Sequence, residues 1–190
     1  MKRLVLLLCL SIALAGCFSV KQLQVSNWTF ALPEDGVALA KTPSFGEARL
    51  AYVVVRSPYD SRNFVVRRKD GSVAFDPCNQ FASAPAMLVK GSALDVLRRT
   101  GVFQGVQPSV TTADVPDVLE LVVDNLSLDC SQPSQRQAVV ELTLVRVRNR
   151  QVAAAGRGSA RVDAASGDYS AAFGKAFSEA LRQAVPDVVK

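Results

Sequence analysis

Residues 117–163 read DVLELVVDNLSLDCSQPSQRQAVVELTLVRVRNRQVAAAGRGSARVD, a run that alone specifies three successive strands. Asp117 to Asp129 and Arg136 to Asn149 predict two long strands around a Ser131-Gln132-Pro133-Ser134 connection, because β-branched and aliphatic residues dominate both runs and turn formers separate them. Gln151 to Asp163 predicts a third, weaker strand: Ala153-Ala154-Ala155-Gly156 lowers its propensity, while alternation from Gly158 to Val162 supports it. Beyond it, Ala172, Phe173, Ala176, Phe177, Ala180, Leu181, Ala184 and Val188 fall on one stripe of a helix, with Ser170 placed as its N-cap. The stripe reads as packing against a sheet. A membrane-surface role needs a strongly cationic polar face, which Lys175 and Arg182 alone do not make.

Working upstream, Pro85 to Thr100 carries Ala86, Val89, Ala93 and Val96 on one helical face, with Pro85 suited to the first turn and Gly101 as a stop. Asn63 to Lys69 and Ser72 to Asp76 flank Asp70-Gly71, a strong hairpin signal. Ala48 to Arg56 (ARLAYVVVR) reads as a buried strand, broken by Ser57-Pro58-Tyr59-Asp60, and Val20 to Leu32 as a first strand. Residues 33–46 and Gln107 to Asp114 read as loops, with a short return segment at Val102-Phe103. Strands joined mainly by hairpins, with two helices that each need one face covered, imply an α+β fold: a two-layer sandwich with a mostly antiparallel sheet and both helices on one face.

The chain of 190 residues fits a signal at 1–16 and one domain at 17–190. Met1-Lys2-Arg3 is a positive start, and the apolar run Leu4 to Leu14 suits a secretory signal, being shorter than the roughly 20 residues of a lasting anchor. The run ends in Leu14-Ala15-Gly16-Cys17, the pattern of a bacterial lipobox, so Cys17 is the expected lipidation site. Phe18 stands where Asp would favour the inner membrane, so an outer-membrane, lipid-anchored protein facing the periplasm is expected. Cys78 and Cys130 remain once Cys9 and Cys17 are set aside. An oxidising compartment favours a disulfide between them, the alternative being two buried free thiols.

Histidine is absent, which excludes His-based triads, imidazole bases and His-ligated metal sites. With 22 Lys+Arg against 17 Asp+Glu and no long basic block, nucleic acid is a poor match as partner. Asp124 and Asp129 share a strand without an evident partner, and Gly156-Arg157-Gly158 is too short for a phosphate loop. The expectation is a protein that is not an enzyme and uses no cofactor or metal. Arg146, Arg148 and Arg150 alternate at strand spacing; such a row is a solvated face, or one that meets an acidic partner or lipid head groups.

Several short motifs occur in a telling order: the lipobox, Arg56-Ser57-Pro58-Tyr59, Phe75 after the hairpin, Phe81-Ala82 before Pro85, then Leu97, Gly101, Phe103 and Val106, Ala113-Asp114, and Leu119 with Leu121. Together they resemble the ABC-type transport auxiliary lipoprotein family (PqiC/YmbA-like), over roughly residues 17–188. The resemblance implies an auxiliary component of lipid transport between membranes, with MCE-domain and ABC-transporter proteins as partners and a homo-oligomeric assembly. The rival expectation is a structural or activator lipoprotein for peptidoglycan machinery, which usually carries a long disordered tether; here strand signal starts within a few residues of Cys17.

Overall fold

The long strands show the two-residue alternation of a sheet with one covered face. Along β6 (Asp117–Asp129), Leu119, Leu121 and Val123 are fully buried, while Val118, Glu120 and Val122 between them are half-buried. β7 (Gln137–Arg148) buries Ala138, Val140, Leu142 and Leu144, and β8 (Gln151–Asp163) turns Gly156, Gly158 and Ala160 the same way. The computed structural model describes residues 23–110, 114–132 and 134–190. Its other elements are β1 (Ser26–Trp28), β2 (Phe45–Val55), β3 (Asn63–Arg67), β4 (Val73–Phe81), α1 (Pro85–Arg99), β5 (Phe103–Pro108) and, after β8, α2 (Tyr169–Val188).

β6 is the spine. On one side β7 pairs with its whole length, from Asp117↔Arg148 to Asp129↔Gln137. On the other side the sheet forks: β2 lies along the first part, Ala48↔Asp117 to Val55↔Val123, and β3 along the last, Val65↔Ser127 to Arg67↔Asp129. β5 extends the sheet from β2, β4 and β1 extend it from β3, and β8 extends it from β7. The hairpin pairings β3–β4 and β7–β8, and the β6–β7 pairing, are antiparallel as the turns require. The expectation of a mostly antiparallel sheet is nevertheless wrong: β1–β4, β2–β5, β2–β6 and β3–β6 are all parallel. The sheet is mixed. Parallel neighbours need a long crossover, and here α1 lies within the connection between β2 and β5.

Both helices lie on one face, α2 over β7 and β8, and α1 over β2 and β5 beside α2. The whole predicted stripe of α2 is buried. Its N-cap is Asp168, whose side chain accepts from the Ala171 N–H at 3.1 Å, and Ser170 sits inside the first turn. Gly156 and Gly158 let α2 lie directly on β8: a Cβ at either would overlap the carbonyl of Ala184 or Ala180. At the other end Phe64, Phe81 and Phe173 meet edge-on or tilted, with centroids 4.7–5.3 Å apart. Phe30 joins them; of the expected first strand only Ser26–Trp28 pairs, and Trp28, Phe30 and Leu32 pack on the core while Leu23 and Val25 are exposed. The expected strand's Val20 to Gln22 lie outside the described residues. β4 runs five residues past Asp76 to Phe81, and β5 continues to Pro108.

Candidate functional site

Cys17 lies outside the described residues. Cys78 and Cys130 line one cavity of about 410 Å³, but as free thiols; the expected disulfide is not formed. The topology explains this. Cys78 is in β4 and Cys130 follows β6, on opposite sides of β3. Two strand spacings, about 9.6 Å, separate those strands, whereas a disulfide spans Cα atoms up to about 6.8 Å apart. Burial pushes the Cys130 thiol above its ordinary range, which disfavours the nucleophilic thiolate. Four of the polar groups lining the cavity are engaged in hydrogen bonds. Arg136 donates to the Tyr169 hydroxyl at 3.0 Å, Asn79 donates to Asp76 at 2.9 Å, and Trp28 Nε1 donates to Asn79 at 2.9 Å.

The arginine row is only in part a solvated face: Arg148 and Arg150 are exposed, Arg146 is not. Arg146 is buried, donating to Asp117 at 3.2 Å and to the Val188 carbonyl at 2.7 Å, with its guanidinium 4.8 Å from the centre of the Phe45 ring. Arg148 grips the same carboxylate with Nε at 2.9 Å and Nη2 at 2.6 Å. Burial alone would raise the pKa of Asp117, but the hydrogen bonds from Arg148 and Arg146 prevail and hold it below the usual carboxylate range. This cluster ties β6, β7 and the end of α2 together. Asp117 was invisible as a site in the sequence; its signal is an acid at an inward-facing position of an alternating strand. Of the three arginines in the row, Arg150, in the hairpin tip, is the one with no ion pair among the described residues. The two strand carboxylates also find partners: Asp124 pairs with Arg56 at 2.7 Å, and Asp129 with Arg161 at 3.0 Å. Among the described residues no group of three or more metal-ligating side chains converges, and no helix is long and apolar enough to cross a membrane.

The surface left over is the sheet face opposite the helices. Register places its side chains in rows running across β2, β6, β7 and β8: Arg49, Val118, Val147 and Val152; then Tyr52, Glu120, Val145 and Ala155; then Val54, Val122, Thr143 and Arg157. An open sheet face normally carries polar residues, yet Tyr52 is 65 % exposed, Val54 50 % and Val152 69 %. β2 is therefore buried on one side only, contrary to the reading of ARLAYVVVR as a buried strand. The signal was there: Tyr52 to Val55 offers no polar residue for an outer face.

A mixed sheet with two helices on one face and exposed apolar side chains on the other defines an α+β domain. The chain has the fold of protein XCC0632 from Xanthomonas campestris, described as a DUF330 protein, with a TM-score of 0.62 and 18 % identity over 84 % of this chain and 89 % of that one. A second solved structure, an uncharacterized protein, aligns at a TM-score of 0.54 and 11 % identity, over 83 % of this chain and 94 % of the other. A PelC dodecamer from Paraburkholderia phytofirmans aligns at 0.45 and 13 % identity, over 82 % and 95 % of the two chains, too distant to bear on fold or assembly. No family model and no curated protein sequence matches the chain.

Proposed function

We propose that this protein is an outer-membrane lipoprotein, acylated on Cys17, that serves as an auxiliary component of an ABC-transporter/MCE-type system moving lipids between membranes. The observation that carries the reading is the uncovered apolar face around Tyr52 and Val54, a surface suited to a protein partner and placed away from any cluster of reactive groups. Glu120 in its midst gives a partner a charge to satisfy, which favours register and specificity. The fold shared with a DUF330 protein, the PqiC/YmbA-like family, supports the same reading. In this role the domain catalyses nothing: it docks on an MCE-domain protein, as a homo-oligomer, while its acyl chains hold it to the membrane.

The test is a photo-crosslinking side chain at position 52 or 54 in cells. An adduct with an MCE-domain protein is expected. Adducts with peptidoglycan-building proteins instead would favour the structural or activator role.

A further inference from the structure

The first row of the open face ends in a cleft of about 610 Å³ at the start of β6. Val118 and Val147 form its floor, and Arg49 and Arg150 reach into it from β2 and from the β7–β8 turn. Neither guanidinium makes an ion pair among the described residues. Asp114 is the one carboxylate on the cleft wall, so cations outnumber it two to one. Across the sheet the floor continues in register from Val147 to Val152, which is exposed. The cleft thus combines two planar cations, neither in an ion pair among the described residues, with an apolar track leading away from them.

Arg150 adds a second observation. Asn149 and Arg150 have φ of 52° and 62°, the two left-handed positions of a two-residue hairpin turn, where Gly is favoured at the second. A long cationic side chain kept in that conformation costs the turn stability, as happens where a side chain is needed for function. From these features we infer that the cleft binds one anionic phospholipid, its phosphate between Arg49 and Arg150 and an acyl chain lying over Val118, Val147 and Val152. Guanidinium forks match phosphate oxygens in geometry as well as charge, and the valine row removes chain methylenes from water. The choice of a membrane lipid rests on the lipid-transport role proposed above; the pairing of anion and apolar track rests on the cleft alone.

The experiment uses the full acylated protein, purified without partners, in phosphatidylcholine vesicles carrying a trace of photoreactive phosphatidylglycerol or of photoreactive phosphatidylcholine. The anionic probe should label the segments around Val118, Val147 and Val152, and labelling should fall about fivefold or more in Arg49→Gln and in Arg150→Gly. Arg150→Gly should keep or raise the thermal midpoint, because Gly suits the turn, so its lost labelling would not be a folding defect. Equal labelling by the zwitterionic probe, label mapped elsewhere, or undiminished labelling of both variants would overturn the site. Complete displacement by excess glycerol phosphate would overturn the amphiphile in favour of a free phosphate ester. Because no partner is present, failure here leaves the crosslinking result at positions 52 and 54 untouched, and the reverse holds too.

Discussion

Replacing Asp117 by Ala should cost the domain about 3 kcal/mol. Removing one partner of a buried ion pair typically costs about 3–5 kcal/mol, because the other charge stays buried without compensation. Here the two arginines differ. The Arg146 side chain is 7 % exposed and that of Arg148 45 %, so Arg148 can turn to water and its share is the small one of a surface pair. Arg146 cannot, yet it keeps the Val188 carbonyl and the face of Phe45. That places the loss at the low end of the range. Asp117→Asn, which retains an acceptor but no charge, should lose about 2 kcal/mol.

Urea unfolding followed by circular dichroism measures this directly. The midpoint should fall with an unchanged slope, and the thermal midpoint should drop by about 6–12 °C for a domain of this size. Arg148→Gln should cost far less than Asp117→Ala, and the joint change Asp117→Leu with Arg146→Met should recover much of the single loss, since an apolar pair leaves no buried charge. An Asp117→Ala protein within about 0.5 kcal/mol of the parent would mean that Arg146 does not depend on this carboxylate. Equal losses from the two arginines would refute the difference between them.

Three further outcomes follow from the geometry, and a fourth from the sequence. Gly158→Ala should lose about 3 kcal/mol in the same urea assay, at the upper end of overpacking costs, because the atom opposing the new methyl is the backbone carbonyl of Ala180; an unchanged midpoint would mean that α2 does not lie on β8 as described. Acid titration should show stability present above about pH 4 and lost as pH falls further: Asp117 and Asp129 are held below the ordinary range, so the unfolded chain takes up protons first, and Asp117→Asn should flatten that loss. In the oxidised protein, unfolded without reductant, a maleimide should modify both Cys78 and Cys130, with Cys130 slow in the native state; a blocked pair would restore the disulfide. Cys17→Ala should leave the outer-membrane fraction in high-salt, detergent-free buffer, and continued pelleting with that membrane would refute the lipid anchor.

Local physics made much of this fold legible. Asp117–Asp129 and Gln151–Asp163 are strands with the expected limits, α1 begins at Pro85, and Gly71 takes the positive φ of 79° that its hairpin turn needs. What sequence reading missed is long-range. Nothing within ARLAYVVVR says that it lies parallel to residues 117–123, because parallel partners are joined by distant connections whose local sequence carries no mark of the pairing. The cysteine pair fails for the same reason: spacing along the chain does not reveal that β3 stands between them. The arginine row was read at the right period, but the alternation that aligns Arg146 and Arg148 also brings both onto one carboxylate of a neighbouring strand, burying Arg146.

The fork in the sheet also decides which part of the open face is left for contact. Where β3 pairs with the end of β6, the outer face is already closed: Val65, Ser127 and Val139 stand in register and are 1–4 % exposed. Asn125 is buried with them and accepts from the Ser127 hydroxyl at 2.7 Å. Where β2 pairs with the first part of β6, nothing among the described residues covers Tyr52 and Val54. Between the two regions Asp124 is the extra residue at the β6 irregularity, held by Arg56 from the end of β2 and by Thr143 from β7. The strand that forms the core's spine therefore divides the outer surface into a sealed region and an open one. The open region is the one that ends at Arg49 and Arg150, so a partner over Tyr52 and a lipid over Val118 would meet on the same strands.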